Sequence, residues 1–295
     1  MNTSKLYVVT GATGRTGSAA AKTLLNANHR VRVIVRDASK AQEWISLGAE
    51  VAVADLSNSS DLAQAFTGAD GAYIVSPPQY QSHTLFTQAE LMAQCIAQAV
   101  NKAKLPKLVV LSSIGADQPT NTGWIAMNRL LETALKDCGA AVAFLRAAYF
   151  MENWAPLLTV ALEQGQLPSF LSPTDRKLPM IATSDIGKIA ACTLCEDWNG
   201  IRLINLEGPS SYSPNDVAAH LTTKTSVPIE ATTIAESDWP QAVSQNKFSP
   251  QALAGFVEMT QGLNSGHIAF AEDSQLEHIS GTISLHQVID SLVGR

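Results

Sequence analysis

The chain has 295 residues, of which 46% are hydrophobic and 16% are charged, and its formal net charge is −6. This composition is that of a globular protein long enough to bury a large core. The charges form no block of one sign, which excludes the basic footprint needed to bind nucleic acid or an anionic membrane. We find no secretory leader and no apolar run long enough to span a bilayer, so we expect a cytoplasmic protein.

Short apolar runs rich in β-branched residues alternate with segments of helical periodicity over the first half of the chain. The runs are continuously apolar, as in strands that are covered on both faces. Six strand–helix repeats of this kind predict an α/β fold with a doubly wound parallel sheet, the Rossmann architecture. The predicted strands cover 6–10, 31–35, 50–54, 71–76, 107–112 and 141–146, and the clearest helices cover 84–103 and 124–137.

After residue 150 this alternation ends. One further strand, at 201–206, is predicted to return to the main sheet. We therefore divide the chain into a nucleotide-binding domain, 1–150, and a smaller mixed region for substrate binding, 151–295. The predicted helices of this second region cover 184–197, 213–221 and 249–263, and the last two open with Ser-Pro, which is favoured at a helix start.

Three glycines, Gly11, Gly14 and Gly17, separate the first predicted strand from the first helix in VTGATGRTG. Gly11 permits a tight turn, Gly14 lets a pyrophosphate approach the backbone, and Gly17 lets the helix pack closely on the strand. The free N–H groups at the start of the helix favour phosphate. This pattern predicts a dinucleotide site, and the alternative is a tight strand–helix turn without a ligand.

The end of the second strand distinguishes NAD from NADP in such folds, because an acid there accepts the ribose 2′-hydroxyl and an arginine pairs with a 2′-phosphate. Arg36 occupies this position and Arg15 can point to the same place, which favours NADP. Asp37 is an acid near this position, so NAD remains the less favoured alternative cofactor. Arg36 and Asp37 can also form a solvated pair with no role in binding. Asp55 follows the third strand, where it can accept the adenine amino group or cap the next helix.

Cys192 and Cys195 form a C-x-x-C pair, which is consistent either with a redox or metal site or with two small apolar residues on one face of a buried helix. No second such pair and no neighbouring histidine in the sequence supports a metal site. We therefore expect two buried, reduced thiols and no bound metal.

Six segments, VTGATGRTG, VIVRD, ADLSN, LSSIGAD, FLRAAYFMENW and PMIATSDIGKIAA, resemble the NmrA-like group of atypical short-chain dehydrogenases/reductases, over almost the whole chain. This group includes NADPH quinone reductases, triphenylmethane reductase, ergot alkaloid dehydrogenases and isoflavone-reductase-like enzymes. It also includes NmrA, a regulator that binds dinucleotide without known turnover. The resemblance implies dinucleotide contacts at Gly11, Thr13, Gly14, Arg15, Thr16, Gly17, Arg36 and Asp55, and we expect further contacts at Leu56, Ser76, Pro77, Ser112, Asn128 and Tyr149.

Standard short-chain dehydrogenases activate a tyrosine with a lysine four positions later. That lysine is missing after each of the five tyrosines, which are Tyr7, Tyr73, Tyr80, Tyr149 and Tyr212. Many relatives keep a lysine four residues before a glutamate on the helix after the fifth strand. Here that glutamate is Glu132 and Asn128 stands in the lysine position, where it can hydrogen-bond a ribose or substrate oxygen but supplies no charge. The sequence therefore assigns no catalytic residue.

Hydride transfer to a quinone, an iminium ion or a cationic dye needs no tuned acid, because the phenolate formed from a quinone has a pKa of about 10. A pocket for such a flat acceptor is expected beyond the C-terminal ends of the strands. The expected pocket residues are Pro78, Ser113, Trp124, Tyr149, Phe150 and Trp154. Phe150 can alternatively belong to an interdomain core, and Ser112 or Ser113 can instead cap a turn.

Two functions remain open from the sequence. The first is an NADPH-dependent reductase of a small aromatic acceptor such as a quinone, imine or dye. The second is a non-catalytic NAD(P)-binding redox sensor of the NmrA type. In either case we expect a monomer or homodimer that takes a small-molecule ligand and binds neither nucleic acid nor a membrane.

Overall fold

The computed structural model describes residues 4–273 and 276–294. Its strands are β1 (Leu6–Val9), β2 (Arg30–Val35), β3 (Glu50–Val53), β4 (Gly71–Ile74), β5 (Lys107–Ser113), β6 (Ala141–Ala147), β7 (Tyr149–Phe150), β8 (Gln166–Ser169), β9 (Leu178–Ile181), β10 (Ile201–Glu207), β11 (Ser211–Tyr212), β12 (Glu230–Thr233) and β13 (Glu277–Ser280). Its α-helices are α1 (Arg15–Asn26), α2 (Ala41–Ser46), α3 (Ser59–Phe66), α4 (Leu85–Ala103), α5 (Ala126–Leu135), α6 (Ala155–Gln164), α7 (Thr183–Cys195), α8 (Pro214–Thr225), α9 (Trp239–Ala242), α10 (Pro250–Ser265) and α11 (Leu285–Val293).

The main sheet has the strand order β13-β10-β6-β5-β4-β1-β2-β3, and all of these strands pair in parallel. The chain runs outward from β1 to β3 and then returns to β4 beside β1, so the order reverses between β1 and β4. This is the predicted doubly wound, Rossmann-like sheet. Strand β10 pairs with β6, as predicted, and β13 adds a further strand, so the chain beyond residue 150 supplies two strands of the main sheet.

Both faces of this sheet are buried. In β1, Tyr7 and Val9 pack into a core with α1 and α7, whereas Val8 packs into the opposite core with α3, α4 and α5, and all three residues are fully buried. Successive strand residues point to opposite faces, which accounts for the uninterrupted apolar runs of the sequence.

Helix α7 packs closely on α1 through Gly187. A Cβ atom at Gly187 would lie 2.4 Å from the carbonyl oxygen of Thr16 and 2.5 Å from Cβ of Ala19. No larger residue fits at this contact without moving the backbone. The SDIGKIAA segment, which lies in α7, therefore fixes α1, the helix that follows the glycine turn.

A separate core fills the C-terminal region, where Met151, Trp154, Leu158 and Met180 pack with residues of α8 and α11. Trp154 is 1% exposed in this core, so its expected place in the substrate pocket is wrong. Residues 151–154 form a 3₁₀ turn, in which neighbouring side chains point about 120° apart. This rotation directs Asn153 to the cavity described below and Trp154 away from it.

The expectation that Cys192 and Cys195 are buried is also wrong, because both are exposed. Helix α7 buries the opposite side, including Ile186, Ala190 and Leu194. Among the residues that the structure describes, no helix is long and apolar enough to cross a bilayer.

Candidate active site

The glycine turn links β1 to α1 at the point where the strand order reverses. Gly11 has φ +63°, a conformation that favours glycine, and its carbonyl oxygen accepts from the Gly14 N–H at 2.9 Å. A Cβ at Gly17 would lie 2.3 Å from that same carbonyl oxygen. Helix α1 starts at Arg15, and its N-cap Gly14 has no side chain to bond the first-turn N–H groups. The first turn is therefore suited to an anion such as a pyrophosphate.

Thr10 holds this turn beside the end of β4, which the sequence did not predict. Its buried hydroxyl accepts from the Val75 N–H at 2.7 Å and donates to the Val75 carbonyl oxygen at 3.1 Å. These bonds continue the pairing of β1 and β4 beyond the last ladder residues. They fix the two strand ends between which a dinucleotide must lie.

The end of β2 carries Arg36 and Asp37. The Asp37 carboxylate accepts from the Ser39 N–H at 2.8 Å and from the Ser39 hydroxyl at 2.7 Å, and so caps the following 3₁₀ turn. These bonds lower the pKa of Asp37. Arg36 is exposed and makes no hydrogen bond or ion pair within the described residues, so it does not form the solvated pair with Asp37. Of the two residues, Arg36 is the one left open to a ligand.

Asp55 lies beside Arg36 at the end of β3. Its Oδ1 accepts from the Ser57 hydroxyl at 2.5 Å and from the Ser57 N–H at 2.8 Å. These hydrogen bonds, together with the charge of Arg36, lower the pKa of Asp55. Asn58 is the N-cap of α3, so Asp55 does not cap the helix. Leu56 is buried, and its side chain packs in the core instead of facing a ligand.

The guanidinium of Arg15 does not point towards Arg36, contrary to expectation. Its Nη1 lies 3.5 Å from the carbonyl oxygen of Glu152, and Arg15 lines the cavity. Glu152 is itself fixed, because its carboxylate accepts from the N–H of Thr183 at 3.0 Å and from its hydroxyl at 2.5 Å. Arg15 therefore spans from α1 to the C-terminal region, and Arg36 is the arginine left at the end of β2.

A cavity of about 630 Å³ begins at the glycine turn and continues past the C-terminal ends of β4, β5 and β6. Of the predicted site residues, it is lined by Gly11, Gly14, Arg15, Thr16, Ser76, Pro77, Pro78, Ser112, Ser113, Trp124, Asn128, Tyr149 and Phe150. Thr13, Gly17, Arg36, Asp55 and Leu56 lie outside it. Phe150 both lines the cavity and packs against the main core, so both interpretations of this residue hold.

An aromatic cluster forms the far wall of the cavity. The rings of Tyr80 and Trp124 lie 4.1 Å apart at 31°, and Phe248 and Phe256 pack against Trp124 at 5.2 and 5.5 Å. The Trp124 indole N–H donates to the carbonyl oxygen of Ala252 in α10 at 2.7 Å. Tyr80 and Trp124 therefore present fixed aromatic surface to a ligand.

Ser112 is engaged inside the protein. Its hydroxyl donates to Oε1 of Glu132 at 2.5 Å, and Arg146 donates to Oε1 and Oε2 of the same carboxylate at 3.0 and 2.8 Å. Burial lowers the pKa of Arg146, but the bonds and charge of Glu132 outweigh burial and raise it. The proton of the Ser112 hydroxyl is therefore held by Glu132.

Asn128, Gln88 and Tyr149 are among the polar side chains that line the cavity. Asn128 is half-buried and makes no hydrogen bond to a described residue, and the buried Oε1 of Gln88 likewise has no partner in the part of the chain that the structure describes. Burial raises the pKa of Tyr149 to about 12, while a hydrogen bond with Asn153 opposes the rise. The phenol therefore remains protonated at neutral pH, and the cavity offers hydrogen-bonding groups but no activated acid.

A family model described as the NmrA-like family matches residues 3–280 of the chain. The chain belongs to the NmrA-like family. An NAD(P)H azoreductase from Xenophilus azovorans is 26% identical over 252 residues, which is 84% of each chain. The NADPH-dependent quinone oxidoreductase of Escherichia coli, solved in complex with NADPH, superposes with a TM-score of 0.80 at 22% identity and covers 98% of this chain and 99% of its own. The triphenylmethane reductase of Citrobacter sp., complexed with NADP(H), gives a TM-score of 0.80 at 18% identity and the same coverage.

This NmrA-like protein also has cavity residues that sequence reasoning missed. They include Tyr80, Gln88, Met92, Met127, Asn153, Met259 and Leu263. Gln88 and Met92 lie one turn apart on α4, so the helical periodicity of 84–103 could have indicated that they share a face. No local pattern could have placed Met259 or Leu263 in the same cavity as the glycine turn, since they come from α10.

Proposed function

We propose that this NmrA-like protein binds NADPH at the β1/β4 junction and reduces a small, flat aromatic acceptor such as a quinone, an imine or a dye. The observation that carries this proposal is the continuity of the cavity. It begins at Gly11 and Gly14, where a dinucleotide phosphate fits, and it ends at the rings of Tyr80 and Trp124. The activities named for the azoreductase, quinone oxidoreductase and triphenylmethane reductase relatives support the same class of acceptor.

Three features of the glycine turn support a dinucleotide. Gly11 makes the left-handed turn, the Gly17 position has room only for a hydrogen atom, and the first turn of α1 has no side-chain cap. The preference for NADPH is supported by the adenosine end, where Arg36 is open and Asp37 is occupied by Ser39. A 2′-phosphate can therefore pair with the arginine, whereas a 2′-hydroxyl finds its usual carboxylate already bonded.

NADPH bound here would supply a hydride from C4 of its nicotinamide. The protein side chains bind and orient the acceptor. Tyr80 and Trp124 contact the flat face of the acceptor, and the apolar wall formed by Met92, Leu131 and Met259 excludes water. Asn128 donates an amide hydrogen bond to the oxygen that gains negative charge.

Protonation of the product does not require a protein acid. A product phenolate that takes up a proton becomes a phenol with a pKa of about 10, whereas the pKa of the Tyr149 phenol is about 12. Transfer of the Tyr149 proton to a product phenolate is therefore unfavourable, and water protonates the product after release. Simple ketones lack this route, because they form a far more basic alkoxide.

Turnover with a panel of acceptors tests the proposal. Purified protein is mixed with NADPH and, separately, a naphthoquinone, a cyclic imine, a triphenylmethane dye and an aliphatic ketone, and NADPH absorbance is followed. We expect oxidation with at least one of the first three and little with the ketone. Asn128 in the lysine position favours the second candidate, an NAD(P)-binding redox sensor. Micromolar NADPH binding with no turnover of any acceptor would establish that candidate instead.

A further inference from the structure

The C-x-x-C pair lies far from the cavity. Cys195 is the last residue of α7 and lies beside His29 and Lys107, which stand at the N-terminal starts of β2 and β5. The cavity opens at the C-terminal ends of the strands, on the opposite edge of the sheet. Both cysteines are exposed, so a small reagent in solution can reach them.

Cys195 has a basic partner. Its Sγ lies 3.4 Å from Nε2 of His29, and the His29 ring is held edge-on against Tyr7 with ring centroids 5.1 Å apart. The Nδ1 atom of His29 is buried and has no hydrogen-bond partner among the described residues. In the tautomer with a proton on Nδ1, the lone pair of Nε2 faces the thiol and can accept its proton. Lys107 adds positive charge close to the same sulfur, and its Nζ lies 3.6 Å from a carboxylate oxygen of Asp197. The charges of Cys195, Asp70 and Asp197 all act on Tyr7. A thiol beside an imidazole and a cation is the environment of a reactive cysteine.

Cys192 stands one turn before Cys195 on the same side of α7. In an α-helix, a rise of 1.5 Å per residue and a radius of 2.3 Å put the Cα atoms of residues three apart at about 5 Å, within the range that a disulfide spans. Cys195 ends the helix, and the following N–H, of Glu196, bonds to Thr193 in a tighter turn. The end of the helix can adjust to bring the two sulfur atoms together.

We propose that Cys195 is a peroxide-reactive thiol and that Cys192 resolves its oxidised form. The Cys195 thiolate, its proton having passed to His29, attacks one oxygen of the peroxide and the O–O bond breaks. The leaving hydroxide takes a proton to become water, the sulfur is oxidised to a sulfenic acid and the peroxide is reduced. The Cys192 sulfur then attacks the Cys195 sulfur, the S–O bond breaks, water leaves and a disulfide forms. A small-molecule thiol reduces this disulfide.

The other cysteines provide internal controls. Cys95 donates its thiol proton to the carbonyl oxygen of Ser57 at 3.2 Å, an acceptor that cannot take the proton away. Cys138 is buried, and this burial raises its pKa. Burial also raises the pKa of Cys192, with the charges of Cys195 and Glu196 adding to it. Cys195 has the imidazole of His29 at 3.4 Å, so Cys195 is the thiol that reacts first. The described residues contain no group of three or more His, Cys, Asp or Glu side chains that could hold a metal ion.

Peroxide oxidation of the reduced full-length chain, read by peptide mass spectrometry, tests the proposal without reference to NADPH turnover. We expect the peptide carrying both cysteines to lose two hydrogens and to regain them with dithiothreitol. In Cys192→Ser, dimedone should trap a sulfenic acid on Cys195, and in Cys195→Ser this peptide should no longer be oxidised. His29→Asn should slow the reaction severalfold, because the asparagine amide cannot accept the thiol proton.

Thermal melts of each variant check that the fold is retained. Oxidation of Cys95 at the same rate as Cys195 would overturn the proposal. So would a Cys192→Ser protein that folds normally and gives no dimedone adduct on Cys195.

Discussion

Arg146 and Glu132 form a two-pronged ion pair next to the cavity, with N–O distances of 3.0 and 2.8 Å, and both side chains are largely buried. The pair joins the end of β6 to α5, the helix that carries Asn128. Asp117 lies 3.5 Å from the same guanidinium, so the arginine is surrounded by acceptors. This ion pair therefore fixes α5, the helix on which Asn128 occupies the expected lysine position.

Glu132→Gln removes the charge that pairs with Arg146. We expect a loss of about 1.5–3 kcal/mol in the free energy of unfolding, because the charge-assisted bonds to Glu132 are lost while Asp117 stays 3.5 Å from the guanidinium. Denaturant unfolding measures the loss. The double variant Glu132→Leu/Arg146→Met is the control, because it removes both charges, and it should recover most of the stability. A single variant as stable as the parent would mean that Asp117 and solvent suffice for Arg146.

Arg36→Ala should weaken NADPH binding by about 1.5–3 kcal/mol, the size of a hydrogen bond to a charged group, and should leave NADH binding nearly unchanged. Fluorescence titration with both cofactors gives the comparison. Lys22→Ala, on the exposed side of α1, is the control for a general loss of positive charge and should affect neither cofactor. If Arg36→Ala weakened NADPH and NADH binding equally, the arginine would only support the end of β2 and would not contact the 2′-phosphate.

Gly14→Val and Gly17→Val separate ligand binding from folding. Gly14 has φ −94°, and a Cβ there would lie 3.2 Å from the Gly11 carbonyl oxygen, a tight contact that a shift of a few tenths of an ångström relieves. Its valine variant should therefore fold but block the pyrophosphate. Gly17→Val should unfold at lower temperature, since its Cβ would lie 2.3 Å from the Gly11 carbonyl oxygen. Melting curves with and without NADPH test both. An NADPH-induced rise in Gly14→Val equal to that of the parent would exclude this loop as the phosphate site.

The rate of hydride transfer to a quinone should be nearly flat between about pH 6 and 8.5, because no group tuned to that range serves as the acid. Burial raises the pKa of Tyr149 to about 12, so its phenol stays protonated throughout. Single-turnover mixing with NADPH measures the profile, and Tyr149→Phe should change the rate little. Loss of turnover in Tyr149→Phe with NADPH affinity retained would make the phenol a proton donor.

The raised pKa of Tyr149 also makes the free energy of unfolding depend on pH. The folded protein holds the Tyr149 proton more tightly than the unfolded chain, whose phenol has a pKa of about 10. The stabilisation is therefore complete below about pH 10 and is lost as the pH rises towards about 12. Denaturant unfolding at alkaline pH should show a smaller pH dependence in Tyr149→Phe than in the parent.

Gln88→Met should stabilise the ligand-free protein by on the order of 1 kcal/mol, because a buried oxygen without a hydrogen-bond partner is replaced by an apolar group of similar length. We also expect a higher KM for acceptors with a hydrogen-bond donor and an unchanged Kd for NADPH. Gln64→Met, at an exposed position of α3, is the control. A lower melting temperature in Gln88→Met would show that the Gln88 amide is bonded in solution, and a weaker NADPH complex would assign it to the cofactor.

The sequence by itself determined the parallel sheet and the glycine turn. The apolar runs are continuous because both sheet faces are covered, and Gly11, Gly14 and Gly17 are close in sequence, so their geometry is set locally. The order of the strands was not predicted, because a doubly wound pattern is compatible with more than one order. Arg36 was correctly placed at the end of β2, since a strand end is a local feature.

Only the tertiary structure decided which way side chains point. The direction of Arg15 and the bond from Ser112 to Glu132 depend on groups far away in the chain. Tyr80 and Trp124 form the cavity wall only once α10 packs behind them, because their contacts and hydrogen bonds come from 248–256. The sequence around Cys192 and Cys195 does not show which face of α7 is buried. The packing of α7 on α1 decides this and leaves both thiols exposed.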